Sequence, residues 1–187
     1  MAPPGKKEVD NRAFVPSLRS LLYAIGFSLI FMFTCIELGF VSQQIHKYGR
    51  WSWNYASLEY RNSLGLLLTA VIVSLLVAIF HFWLPLGMTT LLTLILAVFF
   101  GTGGGIIRTV TPFRGTSCRT KRVDEYPPKW QPFAHECSRV IVIEAFAWAL
   151  FALYTFMFFG SLIYLGIIRF SLRPTRGGYY ASPNRTV

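Results

Sequence analysis

The fold is decided by one long stretch without Asp, Glu, Lys or Arg, NSLGLLLTAVIVSLLVAIFHFWLPLGMTTLLTLILAVFFGTGGGII, which covers residues 62–107 and has His81 as its one titratable side chain. A membrane-spanning helix takes about 20 apolar residues, so this stretch is long enough for two helices. Its middle contains Trp83, Pro85 and Gly87. A proline and a glycine so close together favour a tight turn. The sequence therefore predicts spanning helices at residues 64–83 and 87–107.

Two further apolar runs, at residues 21–42 and 140–168, flank this pair. Both are long enough to cross a bilayer. The first is longer than the apolar part of a cleaved signal peptide, so we expect the mature chain to keep it. The sequence predicts an all-α membrane protein, a four-helix transmembrane bundle with extramembrane loops at residues 43–63 and 108–139.

The composition agrees with a lipid environment. Hydrophobic residues make up 53% of the 187 residues and charged residues 14%, whereas a typical soluble domain has about 25% charged residues. The net charge of +10 would suggest a nucleic-acid ligand in a soluble protein. Because the basic residues lie outside the apolar runs, we expect membrane-flanking charges and no nucleic-acid partner. Residues 1–20 and 169–187, rich in Pro, Gly and basic residues, are predicted to be flexible arms drawn to anionic lipids.

The orientation in the membrane depends on two cysteines, because the basic residues do not decide it. Eight of the 18 Lys and Arg lie in the two tails and ten in the two loops, so the positive-inside rule favours neither side. Cys118 and Cys137 share the second loop and are predicted to form a disulfide, which requires an oxidising compartment. Two reduced thiols are the alternative. The disulfide would place the loops outside the cytoplasm and both termini inside it.

Four charged residues near the loop ends of the spans are candidates for an intramembrane charge clamp. Glu37 lies in the first span and Glu144 in the fourth, while Arg108 ends the third span and Arg139 precedes the fourth. An ionisable side chain inside a membrane is costly unless it is paired, so we expect the glutamates to bind Arg108 or Arg139. Two alternatives remain: a proton or cation relay through the glutamates, and glutamates that reach the membrane surface without a partner.

Small residues recur at helical spacing on the third and fourth spans. Such residues let helix backbones approach closely in a membrane, so these two spans are predicted to form a close pair. The alternative is that one of the two stripes faces another subunit. The predicted helix-packing residues are Ala97, Gly101, Gly104 and Gly105 on the third span and Ala145, Ala149 and Ala152 on the fourth.

Tryptophans stand next to the ends of the spans. Trp51 and Trp53 lie in the first loop, and Trp83 lies at the turn between the second and third spans. Indole rings are enriched at membrane–water interfaces, so we expect these three residues to be interfacial. The alternative is that the first-loop aromatics bind a carbohydrate or a protein partner.

Motifs for catalysis or metal binding were not found in the sequence. The three histidines, His46, His81 and His135, lie in separate segments without an H-x-x-x-H spacing, and no C-x-x-C pair occurs. A G-x-S-x-G nucleophile motif is also missing. We therefore expect a non-enzymatic protein without a cofactor or a metal site.

The chain resembles MARVEL-domain proteins of the fungal type over about residues 15–170. The resemblance rests on Glu59-Tyr60-Arg61-Asn62 leading into the apolar residues 66–80. It also rests on Cys137-Ser138-Arg139 followed by the run EAFAWALF at residues 144–151. The glycine run of the third span and the basic second loop depart from that family.

The resemblance implies a protein that organises membrane domains or recruits membrane proteins laterally, in the plasma membrane or an endomembrane. Its expected partners are membrane lipids, including sterol or sphingolipid, and other membrane proteins or further copies of itself. An accessory subunit of a larger membrane enzyme or transporter complex is the alternative function. A proton-coupled transporter or channel is a third, which the few polar residues near mid-membrane favour less.

Overall fold

A computed structural model describes residues 18–49 and 51–170. The two predicted basic arms lie outside these residues, apart from helical positions 18–20 and 169–170 at their inner ends. The described part of the chain is all-helical, without strands. Short 3-10 helices occur at Ser52–Asn54, Val123–Glu125 and Gln131–Glu136. The α-helices are α1 (Leu18–Tyr48), α2 (Leu58–Phe80), α3 (Leu86–Val110), the short α4 (Ser117–Thr120) and α5 (Cys137–Phe170).

Four of these helices, α1, α2, α3 and α5, are long and apolar enough to cross a membrane. This confirms the predicted all-helical fold with four candidate spans. Each helix packs against the next along the chain, and α5 closes the ring by packing against α1. The most extensive contact joins α3 to α5.

Consecutive long helices run in opposite directions, as their contacts show. Gln44 near the end of α1 meets Glu136 just before α5, and Phe27 near the start of α1 stacks on His81 just after α2. The segments 51–57 and 111–136 therefore lie at one end of the bundle, which we call the loop end. The turn at residues 81–85 lies at the opposite end, which we call the turn end. The candidate functional site lies mainly at the loop end and in the bundle centre.

Helices α1 and α5 each present one face to the interior. Their buried residues alternate between spacings of three and four, the pattern of a helix with a single packed face. The side chains between them are half-buried or exposed and largely apolar, as expected next to lipid. The inward residues include Tyr23, Phe27, Ile30, Thr34, Glu37, Val41 and Gln44 on α1 and Val140, Ile143, Ala147, Leu150, Tyr154 and Met157 on α5.

The first loop is shorter than predicted, because helix continues past both apolar runs. Helix α1 extends to Tyr48 rather than to residue 42, since polar residues such as Gln44 continue its inward face. Gly49, with a φ of +70°, then ends the helix, and its N–H donates to Ile45 O at 2.8 Å. Helix α2 begins at residue 58 rather than 64, capped by Ser57.

The turn end also differs in detail from the prediction. Helix α2 ends at Phe80 rather than at residue 83, and Trp83 N–H donates to Phe80 O at 3.0 Å in the turn. Pro85 disfavours helical backbone at Leu84, so the chain leaves the helix before the proline. Helix α3 starts at Leu86, immediately after that proline.

Candidate functional site

Glu136 is the centre of a charged cluster at the loop end. Its buried carboxylate accepts a hydrogen bond from Gln44 Nε2 at 3.0 Å and another from Arg139 Nη1 at 3.0 Å. Lys47 forms an ion pair with the same carboxylate, and His135 Nε2 lies 3.2 Å from it. Two cations and an amide therefore compensate the burial of one anion. The cluster joins the end of α1 to the start of α5.

Aromatic rings from both loops pack beside this charged cluster. The Tyr60 ring meets Trp130 edge-on at 5.8 Å, and the Tyr48 ring lies 5.4 Å from Phe133. An edge-to-face contact like that of Tyr60 and Trp130 stabilises by about 0.5–1.5 kcal/mol beyond burial. The members of this loop-end aromatic cluster are Tyr48, Tyr55, Tyr60, Phe113, Tyr126, Trp130 and Phe133.

A small, largely enclosed cavity lies within the aromatic cluster and reaches Gln44 and Glu136. It leaves about 10 Å³ for the centre of a water molecule, which is room for a single water. Tyr48 and Tyr60 are among its lining residues. The buried hydroxyl of Tyr60 has no hydrogen-bond partner among the described residues. A lipid headgroup or sugar does not fit in this space.

The loop end is covalently closed. Cys118 of α4 and Cys137 at the start of α5 form a disulfide with their Cα atoms 5.6 Å apart, as the shared loop position suggested.

Tyr55, in the first loop, donates from its hydroxyl to Gly49 O at 2.9 Å. Burial raises the pKa of this hydroxyl, and the nearby charge of Arg61 partly opposes the shift.

The predicted charge clamp divides into separate parts. Arg108 Nη1 lies 3.3 Å from Glu144 Oε1, so this pair forms. Arg139, in contrast, binds Glu136 one helical turn before it rather than Glu37 or Glu144. The grouping of all four residues is therefore wrong, because an acid in the neighbouring 3-10 helix reaches Arg139 first.

Glu37, like Arg139, does not take part in the predicted charge clamp. Its side chain is fully buried on the inward face of α1, and neither carboxylate oxygen has a hydrogen-bond partner among the described residues. Removing an acid from water without a partner is costly. Glu37 is therefore held in the bundle by the packing of α1 and not by an ion pair.

One turn from Glu37, three hydroxyls connect three helices. Thr34 Oγ1 on α1 lies 2.9 Å from Ser74 Oγ on α2, which lies 2.5 Å from the Tyr154 hydroxyl on α5. Thr34 also donates to Ile30 O at 2.6 Å. Since a hydroxyl carries one proton, Ser74 must donate to Thr34, and Tyr154 must donate to Ser74. All three protons are used within this chain.

The glycines of α3 face two different helices. A Cβ added to Gly101 would lie 2.9 Å from Phe151 Cδ2, and one added to Gly104 would lie 3.3 Å from Ala147 Cβ, so both residues face α5. Gly105 has nothing within 4 Å and does not belong to this interface, contrary to the prediction. The rotation of about 100° per residue along a helix turns it away.

The predicted packing face of α5 is also wrong. Ala145 is exposed, and Ala149 and Ala152 are half-buried, whereas Ala147 is fully buried and meets α3. Large residues such as Tyr154 occupy the inward positions instead. Ala97 on α3 is buried as expected.

The three tryptophans lie where interfacial residues are expected. Trp51 and Trp53 at the loop end are 62% and 73% exposed, and Trp83 at the turn end is 71% exposed. The rings of Trp51 and Trp53 stack with their centroids 4.7 Å apart. Indoles therefore stand at both ends of the bundle.

Several polar residues of the site are not evident from the sequence. Gln44 and Glu136 lie just beyond the apolar runs, where polar residues are usually assigned to loops. The spacing of Glu37, Val41 and Gln44 continues the alternation of three and four and was a usable signal. For Ser74 and Tyr154, no local pattern distinguishes an inward hydroxyl from one that bonds its own helix backbone.

Within the described residues, no group of three or more His, Cys, Asp or Glu is placed to hold a metal ion. No protein-family model, curated protein or solved structure matches the chain.

Proposed function

We propose that this chain is a non-enzymatic, multi-pass membrane protein that organises its membrane surroundings by lateral contact. The observation that carries the proposal is the contrast between a filled interior and a bulky apolar exterior. Phe100, Leu150 and Tyr154 are fully buried between the helices, while Phe156 and Ile163 on α5 are 76% and 65% exposed. The large surfaces available for binding therefore face sideways, toward lipid or other membrane proteins.

The loop end supports the same proposal. The disulfide, the Glu136 cluster and the aromatic cluster give a compact, fixed end to the bundle. Disulfides persist in oxidising compartments, which favours loops outside the cytoplasm and termini inside it, in the plasma membrane or an endomembrane. The resemblance to MARVEL-domain proteins points to the same kind of function.

The test is to identify the neighbours of the full-length protein in its membrane. We expect cross-linking in intact membranes, followed by purification in mild detergent, to give copies of the same chain together with many substoichiometric neighbours. Replacing exposed Phe156 and Ile163 with Ala should reduce this set of neighbours. Replacing exposed Ile72 on α2 with Ala tests whether any exposed apolar side chain is enough to bind the neighbours. A neighbour set unchanged in the α5 variant would contradict lateral binding through this face.

An accessory subunit of a larger membrane complex is the second candidate. Gly105 and Ala145 favour it, because both lie outside the packed interface between α3 and α5. Small residues outside a packed interface allow another helix to approach closely. One stoichiometric partner, lost on replacing Gly105 with Leu, would favour this function over the first.

A further inference from the structure

An open groove at the loop end combines two indoles with a guanidinium. It is lined by Trp51, Ser52, Trp53 and Arg61, and we call it the indole groove. The two indole rings stack on each other with an angle of 16° between their planes, so each leaves one outer face uncovered. None of the described residues that line the groove is acidic.

The first loop is held in a defined conformation that keeps these indoles exposed. Asn54 Nδ2 donates to Tyr48 O at 2.7 Å, and the Tyr55 hydroxyl donates to Gly49 O. Tyr55 is buried, whereas Trp51 and Trp53, on the same short segment, point outward. Exposed indoles on a fixed loop form a binding surface before any ligand arrives.

Arg61 lacks an acidic partner among the described residues. The acids of the loop-end clusters, Glu136 and Glu144, are already paired with other cations. Glu59 is two positions away on the same helix, and residues at that spacing do not face each other. The charge of Arg61 acts on the nearby phenol of Tyr55, which is neutral. The groove therefore carries a net positive charge suited to an anion.

The depth of Arg61 identifies the anion. It is the fourth residue of α2, a candidate span that begins at Leu58, so its guanidinium lies near the boundary between the apolar core and the headgroups. A guanidinium binds phosphate with two parallel hydrogen bonds. Indoles favour this same boundary and bind quaternary ammonium groups over their faces. A neutral sugar would use the indoles but leave the guanidinium without an anion.

We propose that the indole groove binds the phosphocholine headgroup of a bilayer lipid, with the phosphate on Arg61 and the quaternary ammonium on the indole faces. Glycerophospholipids and sphingolipids both carry this headgroup. The groove differs from the enclosed aromatic cavity, which has room for one water only. It gives the protein a specific lipid partner in the leaflet on the loop side.

The test is native mass spectrometry of the full-length chain, purified with its disulfide intact in a sugar-free detergent. The probe is an equimolar mixture of phosphatidylcholine, phosphatidylethanolamine and phosphatidylglycerol with identical acyl chains. We expect phosphatidylcholine adducts to predominate. Arg61→Gln should weaken phosphatidylcholine binding about tenfold, because the charge-assisted hydrogen bonds to the phosphate are lost. Arg61→Lys should weaken this binding less. Sphingomyelin, which shares the headgroup on a different backbone, should compete with phosphatidylcholine.

Two further variants keep the test independent of folding. The double variant Trp51→Ala, Trp53→Ala removes exposed side chains only, so it should lose phosphatidylcholine preference while its thermal unfolding stays unchanged. Trp83→Ala, equally exposed at the turn end, is the matched control and should bind as the native chain does. Equal binding of phosphatidylglycerol and phosphatidylcholine would overturn the proposal, as would displacement of the lipid by a soluble disaccharide or retention of the preference in the double variant.

Discussion

Gly103 of α3 lies directly against Leu67 of α2: a Cβ added to the glycine would stand 2.6 Å from Leu67 Cδ2 and 2.7 Å from its Cγ. Both residues are buried, so neither neighbour has open space to move into. The glycine run of α3 thus serves two interfaces, with Gly103 on α2 and Gly101 and Gly104 on α5. These glycines are explained by the close approach of α2 and α5 to α3 and not by a need for backbone flexibility.

Gly103→Ala should therefore destabilise the bundle. Adding a methyl group to a packed interface costs about 1–3 kcal/mol, which exceeds the gain of up to about 1 kcal/mol in helix propensity. Gly105→Ala is the matched control, because its Cβ meets nothing and the propensity gain remains. Thermal unfolding of both variants in the same detergent measures the difference. Equal stability of the two variants would contradict the close contact with Leu67.

The hydroxyl chain predicts unequal costs for its members. Ser74→Ala leaves the buried Tyr154 hydroxyl without an acceptor, which costs about 1–3 kcal/mol. Tyr154→Phe should cost less, since Ser74 can still donate to Thr34. Ser28→Ala, at an exposed serine that bonds only its own helix, should have little effect. The order of the unfolding temperatures checks the direction of the chain, and a larger loss in Tyr154→Phe would reverse it.

The sequence predicted the four spans because apolar length alone identifies them. The prediction of the span ends was wrong, because Gln44 and Glu136 continue helical structure beyond the apolar runs. Gln44 Nε2 donates to Glu136 Oε2 at 3.0 Å. Their contact joins residues far apart in the chain, so no local pattern could assign it. The prediction that the small residues of α5 pack against α3 was wrong for another reason. A helix has several faces with plausible spacing, and the packing of Ala147 rather than Ala145 selects among them.

The disulfide should stabilise the loop end measurably. Cys118 and Cys137 are 19 positions apart, and cross-linking a loop of this size contributes about 3 kcal/mol in the chain-entropy description. Cys118→Ser should therefore lower the unfolding temperature and remove the mobility shift seen on reduction. Cys35→Ser is the control, because Cys35 is exposed on α1 and not bonded. A mobility shift that survives in Cys118→Ser would disprove this pairing.

His81 makes the stability of the turn end depend on pH. Its ring stacks on Phe27 with centroids 4.0 Å apart, and Nδ1 lies 2.7 Å from Ala78 O. Burial lowers the pKa of His81 below its ordinary value of 6.5, although the backbone hydrogen bond opposes the shift. The unfolded chain therefore binds the proton more readily, so the contribution of His81 is complete above pH 6.5 and is lost as the pH falls from there to the folded pKa.

The measurement is thermal unfolding at pH 7.5 and 5.5 for the native chain, His81→Gln and His46→Gln. We expect the native chain to lose stability at the lower pH and His81→Gln to lose less. His46 is exposed on α1, so its variant should behave as the native chain does. An identical pH dependence in all three proteins would mean that His81 titrates alike in the folded and unfolded states.

Glu37 provides the sharpest distinction between a structural and a transporting protein. Because both of its oxygens are buried without a partner among the described residues, Glu37→Leu should raise the unfolding temperature, by an amount equivalent to about 1 kcal/mol or more. Glu144→Gln is the control and should change stability by less than about 1 kcal/mol, since its partner Arg108 is largely exposed. In liposomes with a pH-sensitive dye, the native chain should show no more proton flux than empty vesicles. A flux present in the native chain and lost in the more stable Glu37→Leu would show that the carboxyl is retained for transport, and would overturn the structural function proposed above.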